Sequence, residues 1–289
     1  MSRRPPSFTR PPRPPRTLLL PRYPALSRPC GYSHHPLMIF AHTLMILSAR
    51  TRSLTHARAI TPQKKQTANQ KAVAASKGHY LLQAAMAGYT AEVSALVDGG
   101  ADLAAVDYSK RMTALHYAAM NGGDKIVEVL LTTAVNVEAR DYRGQTALHC
   151  AGGERVFRLL LAAGADVVAK SNDGVTALHF AAKRESLHPC VAELLELGAD
   201  VSAADKDGDT ALHCAIKAWA HDAARRLEVV RLLVQAGADL AANNKWGTPL
   251  HAAAVGPYGG RGSMEVLNFL LDKGSDVNWR DSNGRTPLH

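Results

Sequence analysis

From residue 77 onward the apolar positions come in paired bursts. The first burst of a pair is short and small-sided, as in Ala114-Leu115-His116-Tyr117-Ala118-Ala119, and it starts just after a Thr. A polar gap follows, Asn121-Gly122-Gly123, and then a second burst with Ile126, Val127, Leu130 and Leu131. Spacing of three and four marks a helix with one greasy side. The second burst recurs as Val156, Leu159, Leu160, then as Val191, Leu194, Leu195. It returns again as Val229, Val230, Leu233 and as Val266, Leu267, Leu270, Leu271. The pattern predicts short helices in pairs, the first of each pair like Ala114–Met120, with the second helix amphipathic.

The pairs are copies of one unit. Thr-Ala-Leu-His stands at 113–116, 146–149, 176–179 and 210–213, and Thr-Pro-Leu-His at 248–251 and 286–289. Successive starts lie 33, 30, 34, 38 and 38 residues apart, a period that signals a repeat architecture. Gly-Ala-Asp precedes most copies, at 100–102, 164–166, 198–200 and 237–239, with Gly274-Ser275-Asp276 and the degenerate Ala134-Val135-Asn136. Between the two phrases sit turn signals such as Asp141-Tyr142-Arg143-Gly144 and Asp205-Lys206-Asp207-Gly208. Thr suits an N-cap, because its hydroxyl can accept a free first-turn amide. Pro just inside suits the first helical position. The Gly of Gly-Ala-Asp suits a C-cap with positive φ, and the Asp/Asn-x-x-Gly stretch a tight turn.

These units resemble ankyrin repeats, a β-turn followed by two antiparallel helices around a Thr-Pro-Leu-His-x-Ala core. The resemblance covers 77–289 as six units (about 78–111, 112–144, 145–174, 175–208, 209–247 and 248–284) and the start of a seventh. It implies an all-α repeat solenoid, a stack of two-helix units with β-turn or hairpin loops. It also implies that each motif His bonds the turn and its own Thr cap. Departures from the pattern are specific. Unit one has His79-Tyr80-Leu81-Leu82 where the Thr motif belongs, as an end unit would. The third unit is about three residues short near Gly152-Gly153, so its first helix or the turn after it must be trimmed. The fifth and sixth carry extra residues between their helices, and the first linker, 107–112, lacks the turn Gly and is one residue longer. The sequence closes on His289, inside the seventh copy's motif. A fragment of a longer protein is expected, the alternative being a natural array with a poor cap.

Charge divides by position. No Asp or Glu precedes Glu92, so residues 1–77 sum to +14 and residues 78–289 to −5 within the overall +9. The basic pI therefore belongs to the leader, and it argues for no nucleic-acid-binding domain. Nine of the fifteen prolines lie in the first 30 residues, which favours extended, disordered chain over helix there. The leader, 1–76, is Arg-rich and acid-free, as organelle transit peptides are; a disordered tail and a misassigned start of translation fit as well, and the prolines count against an amphipathic presequence. Its most apolar stretch, 36–47, is too short to span a membrane. Cys30, Cys150, Cys190 and Cys214 form no C-x-x-C pair, so neither a disulfide framework nor a metal knuckle is expected, and a reducing compartment follows.

Candidate chemistry reads as structure. Six of the thirteen histidines (His116, His149, His179, His213, His251, His289) share one repeat position; neighbours in a stack sit about 10 Å apart, whereas zinc needs every ligand about 2 Å away. Cys150 and Cys214 follow that His where other units have Tyr117 or Phe180, the place of a small hydrophobe. The glycine-rich 256–263 lacks the Gly-Lys-Ser/Thr ending of a phosphate loop and reads as an inter-helix insertion. The Ala-rich insertion 217–226 is expected to lengthen a helix, with Trp219 either packed or exposed. No catalytic, cofactor or metal site is expected.

Solenoids bind along their concave side, and the resemblance implies that hairpin tips and first helices line it. Aromatic, Arg and Lys side chains there are the candidate contacts: Tyr108, Tyr142, Arg143, Lys183, Lys206, Lys245, Trp246 and Trp279. Mixed charge at the tips argues against a phosphate stripe. The expected function is a non-enzymatic, monomeric protein-interaction scaffold without specific nucleic-acid binding or a membrane span. The alternative is the regulatory or targeting arm of a larger enzyme, channel or ubiquitin-pathway protein. Cytoplasm or nucleus is the expected location, or an organelle reached through the leader.

Overall fold

The computed structural model describes residues 62–218, 223–255 and 264–289, with side chains from residue 70. Twelve α-helices run through them: α1 Pro62–Ala87, α2 Thr90–Asp98, α3 Ala114–Met120, α4 Asp124–Leu131, α5 Ala147–Cys150 and α6 Glu154–Ala162, then α7 Ala177–Lys183, α8 His188–Glu196, α9 Ala211–Lys217, α10 Ala223–Gln235, α11 Pro249–Val255 and α12 Met264–Asp272. Odd-numbered helices stack on odd and even on even, each unit touching the next, so two helical layers run side by side. No strand is named among the described residues; hairpins with isolated bridges at Ala204–Thr210 and Asn244–Gly247 join the units.

The core sits between the layers. Leu115, Leu148, Leu178, Leu212 and Leu250, one from each of units two to six, are each at most 1% exposed. From the other layer come Val127, Val156, Val191, Val230 and Val266. Each unit can bury these faces only against its neighbours, as a solenoid requires. Leu288, in the motif that closes the sequence, is 82% exposed.

The helix ends follow the expected chemistry, with one substitution. The Gly of Gly-Ala-Asp takes positive φ in the units that have it, for example Gly164 at 82°. Unit two has Thr132 and Thr133 instead, and their hydroxyls donate to the Val129 and Leu130 carbonyls at 2.7 and 2.5 Å. Orphan carbonyls are satisfied there by side chains rather than by a left-handed cap.

Four departures take physical form. The boundary placed at residue 77 falls inside α1, whose 26 residues begin at Pro62; 70–77 are largely exposed, touching the stack where Ala74 O accepts the Asp102 N–H and Lys77 reaches Gly99 O, and burial begins at Gly78. Ala and Lys runs favour helix without needing burial. The 62–76 part of the expected disordered leader is thus helical, and the rest of the leader lies outside the described residues. The trimmed unit keeps a first helix of only four residues, α5. Gly152 then lies against α3, its N–H donating to the Ala119 carbonyl at 2.9 Å. A Cβ there would sit 2.5 Å from the Met120 carbonyl oxygen. The insertion of unit five starts after Lys217, which closes α9, and lengthens α10 to thirteen residues; Trp219 and the glycine-rich 256–263 lie outside the described residues. In the first linker Arg111 takes φ 55°, the turn position Gly holds elsewhere.

Candidate protein-binding face

From unit two on, each first helix is capped by its own motif. The backbone N–H of Thr210 donates to His213 Nδ1 at 3.3 Å, and the Thr210 hydroxyl lies 3.0 Å from the same nitrogen. Nε2 of His213 points to the Gly247 carbonyl of the next hairpin at 3.3 Å. A nitrogen that accepts an amide cannot carry a proton, and one that faces a carbonyl must, so the ring is neutral with hydrogen on Nε2. The hydroxyl therefore donates to the ring; its bond from a first-turn amide is long, 3.4 Å at Thr113. The arrangement repeats at His116, His149, His179 and His251, each reaching the following hairpin. Burial pushes the pKa of His116, His149 and His179 down, and that of His213 down to about 4. Burial likewise pushes the thiols of Cys150 and Cys214 up to about 12 and Cys190 up to about 11, so they stay protonated packing groups at neutral pH. Among the described residues no three His, Cys, Asp or Glu gather to hold a metal, and no helix is long and apolar enough to cross a membrane.

The hairpins locked by these histidines pair with one another. The Tyr142 N–H donates to Lys110 O at 2.9 Å, Asn172 to Arg143 O at 2.8 Å, Lys206 to Asp173 O at 2.9 Å and Lys245 to Asp207 O at 3.0 Å. At the next step the Ser282 hydroxyl replaces the amide, donating to Lys245 O at 3.1 Å. The tips thus form a hydrogen-bonded row with side chains at fixed register. In the longer first linker Lys110, rather than Ser109, takes the pairing place.

Six of the eight candidate residues lie on this row. Tyr108 projects fully into solvent, and Tyr142 and Trp246 are about half exposed. The Arg143 guanidinium lies over the Tyr142 ring at 5.2 Å. Lys206 pairs with Asp173 at 2.7 Å, and Lys245 with Asp207, each joining one tip to the preceding one. The hydrogen bond and charge of Lys206 hold the Asp173 carboxyl below its ordinary value. Lys183 closes α7, exposed. Trp279 stands apart, in the loop before the sixth hairpin, at a place where units three and four have the buried Ala169 and Ala203.

Sequence reasoning missed Lys217, placing it in the insertion. As the last residue of α9 it bonds both Asp209 oxygens at 2.7 and 3.0 Å and stacks over Trp246 at 4.6 Å. Asn244 also donates to Asp209, and its Oδ1 accepts the Trp246 N–H at 2.7 Å. Trp246 is therefore held from behind before any partner arrives. The available signal was positional: counted from its Thr, Lys217 matches Met120 and Lys183. That position faces the tips, so tips and first helices form one face.

The family model for ankyrin repeats (3 copies) matches residues 81–171, 152–244 and 220–289. Inversin of Canis lupus familiaris is 30% identical over 199 residues, which are 68% of this chain and 15% of that protein. The E3 ubiquitin-protein ligase XBAT32 of Arabidopsis thaliana is 39% identical over 74 residues, 25% of this chain and 15% of the ligase. The chain thus spans about 15% of the length of either relative. The crystal structure of the human ASB11 ankyrin repeat domain superposes with a TM-score of 0.61 at 25% identity, over 72% of this chain and 89% of that one. With the family model matching most of the sequence, and with the capped helix pairs and paired hairpins that the motif builds, the chain belongs to the ankyrin-repeat family.

Proposed function

We propose that this chain is a non-enzymatic scaffold that binds a partner protein across the hairpin tips and the first helices. The observation that carries the reading is the fixed aromatic anchor Trp246, half exposed yet backed by Lys217 and tethered by Asn244. Immobilised aromatic side chains lose little freedom on binding, which is why they dominate interface energetics. Proteins cross-linked to the chain in its own cells, identified by mass spectrometry, should include one whose binding the double variant Tyr142→Ala/Trp246→Ala reduces at least about tenfold, the cost of losing two hot spots. Full retention by that variant refutes the site.

The second reading is a substrate-recruiting or regulatory arm of a ubiquitin-pathway protein. What favours it is the likeness of part of the chain to a protein named as a ubiquitin ligase, of which this sequence spans only 15%. Sequencing the transcript past codon 289 tests it: a stop codon at that point refutes it. Localisation in cytoplasm or nucleus belongs to the same proposal, supported by free Cys150, Cys190 and Cys214. A reporter carrying residues 1–76 that enters an organelle would refute that location.

A further inference from the structure

One repeat position changes character along the array. It is Met86 in unit one and Met120 in unit two, 54% and 42% exposed. The trimmed unit three lacks it, and units four and five present Lys183 and Lys217. The contact of Lys217 with Trp246 shows that this position faces the tips. The hairpin that follows Met86 is the first tip, where Tyr108 is wholly exposed. Near the lysines the guanidinium of Arg184 donates to Ala151 O at 2.8 Å and lies over Phe180.

Negative charge is kept off this layer. Helices α3, α5, α7, α9 and α11 contain no Asp or Glu, while α2, α4, α6, α8, α10 and α12 all do. The acidic residues Asp173, Asp207 and Asp209 are matched by Lys206, Lys245 and Lys217, whereas no carboxylate pairs with Lys183 among the described residues. Lys183 and Arg184 leave the face cationic at unit four although residues 78–289 sum to −5. The cationic character is therefore local rather than a consequence of overall composition.

The geometry points to an acidic partner segment: an extended peptide that lays apolar side chains on Met86, Met120 and Tyr108 and sets its carboxylates against Lys183 and Arg184. This deepens, and rests on, the reading of the tips and first helices as the binding face. Neighbouring units sit about 8–10 Å apart, so units one and two lie about 20–30 Å from unit four. An extended chain covers that in about six to nine residues. The partner segment therefore carries its acidic run six to nine residues from its apolar pair.

The test is fluorescence anisotropy on the full 289-residue chain, using a labelled peptide with two Leu, a neutral spacer of that length and a run of Glu, beside a twin with Lys for Glu. The Glu peptide should bind at least about tenfold tighter than its twin at low salt, the gap closing as salt screens the charges. The basic leader attracts the Glu peptide too, so the decision falls on variants that leave the leader intact. Lys183→Glu should weaken binding about fivefold or more and Met120→Ser about threefold, whereas Lys125→Glu, the same charge change on an exposed site of α4, should not. Helical circular dichroism confirms that each variant is folded. Equal effects of Lys183→Glu and Lys125→Glu overturn the proposal and assign the peptide to the leader. If Tyr142→Ala/Trp246→Ala still abolishes capture of the cellular partner in that case, the binding face stands and only its acidic chemistry is lost.

Discussion

His213 closes its own helix through Nδ1 and the next hairpin through Nε2, and both contacts require the neutral ring. Its pKa is pushed down to about 4 by burial, while an unfolded chain titrates near 6.5. Between those values the unfolded state binds more protons, so stability rises with pH across the window. The contribution is whole above about 6.5 and is lost progressively as the pH falls towards about 4. His116, His149 and His179 shift in the same direction, so their losses add. Asp107, Asp173, Asp200 and Asp281 are held below their ordinary values; their contribution disappears only at lower pH. Urea midpoints measured from pH 7.5 down to 4.5 should fall steadily, and a flat profile would contradict the neutral tautomer. The same helix start separates two further costs. Thr210→Ala should lose about 1 kcal/mol of cap, and Leu212→Ala about 2–5 kcal/mol, because its side chain is fully enclosed. Urea titration that finds the two equal would contradict the burial of Leu212.

Hairpins show where a local pattern suffices and where it does not. Gly144 at φ 71° is in the conformation that the Asp-x-x-Gly signal predicts, and its Cα approaches Asn172 of the next tip so closely that a Cβ would lie 2.4 Å from Oδ1. Gly144→Ala meets both strain and that contact, and should cost about 1–3 kcal/mol. Arg111 holds the equivalent turn at φ 55° with a side chain in solvent, and a non-Gly residue there costs roughly 1 kcal/mol. Arg111→Gly should therefore stabilise the chain slightly, by up to about 0.5 kcal/mol after the entropy of the unfolded glycine is subtracted. Opposite shifts in urea midpoint would verify the pair; a destabilised Arg111→Gly would show that the side chain is doing something else. The Thr motif, the helix pairs, the Gly caps and the trimming of unit three were legible because each depends on residues close in sequence. The ion pairs Asp173–Lys206 and Asp207–Lys245, and the stacking of Lys217 on Trp246, were not. They join residues 29–38 positions apart, and their partners are set by how one unit sits on the next. The length of α1 was also missed: Thr61-Pro62 reads as a helix start, but the polar residues that follow it show no greasy side to mark a helix.

At the scale of the whole array, stability is a sum over units and the contacts between neighbours. Most of those contacts are short in sequence terms, so each unit is held by the pair beside it and not by distant chain. The narrowest place is unit three. Its first helix is one turn, and the carbonyl of Ala151 is satisfied by Arg184 reaching back from unit four. Gly152 brings the chain close to α3 on the other side. The coupling between units one and two and units four to six therefore passes through a thin join. Leu178, fully enclosed in α7, is the packing residue beside that join. Leu178→Ala should cost about 2–5 kcal/mol locally, comparable with the coupling itself, and split a single unfolding transition into two. Each would have a smaller dependence on denaturant, because each exposes only part of the surface. Hydrogen exchange followed by mass spectrometry gives the sharper reading: amides of α5–α8 should lose protection first, with α3, α4, α9 and α10 still protected in the same conditions. Uniform loss along all six units would mean that the trimmed unit transmits stability as well as a full one, and that its short helix is no weak point.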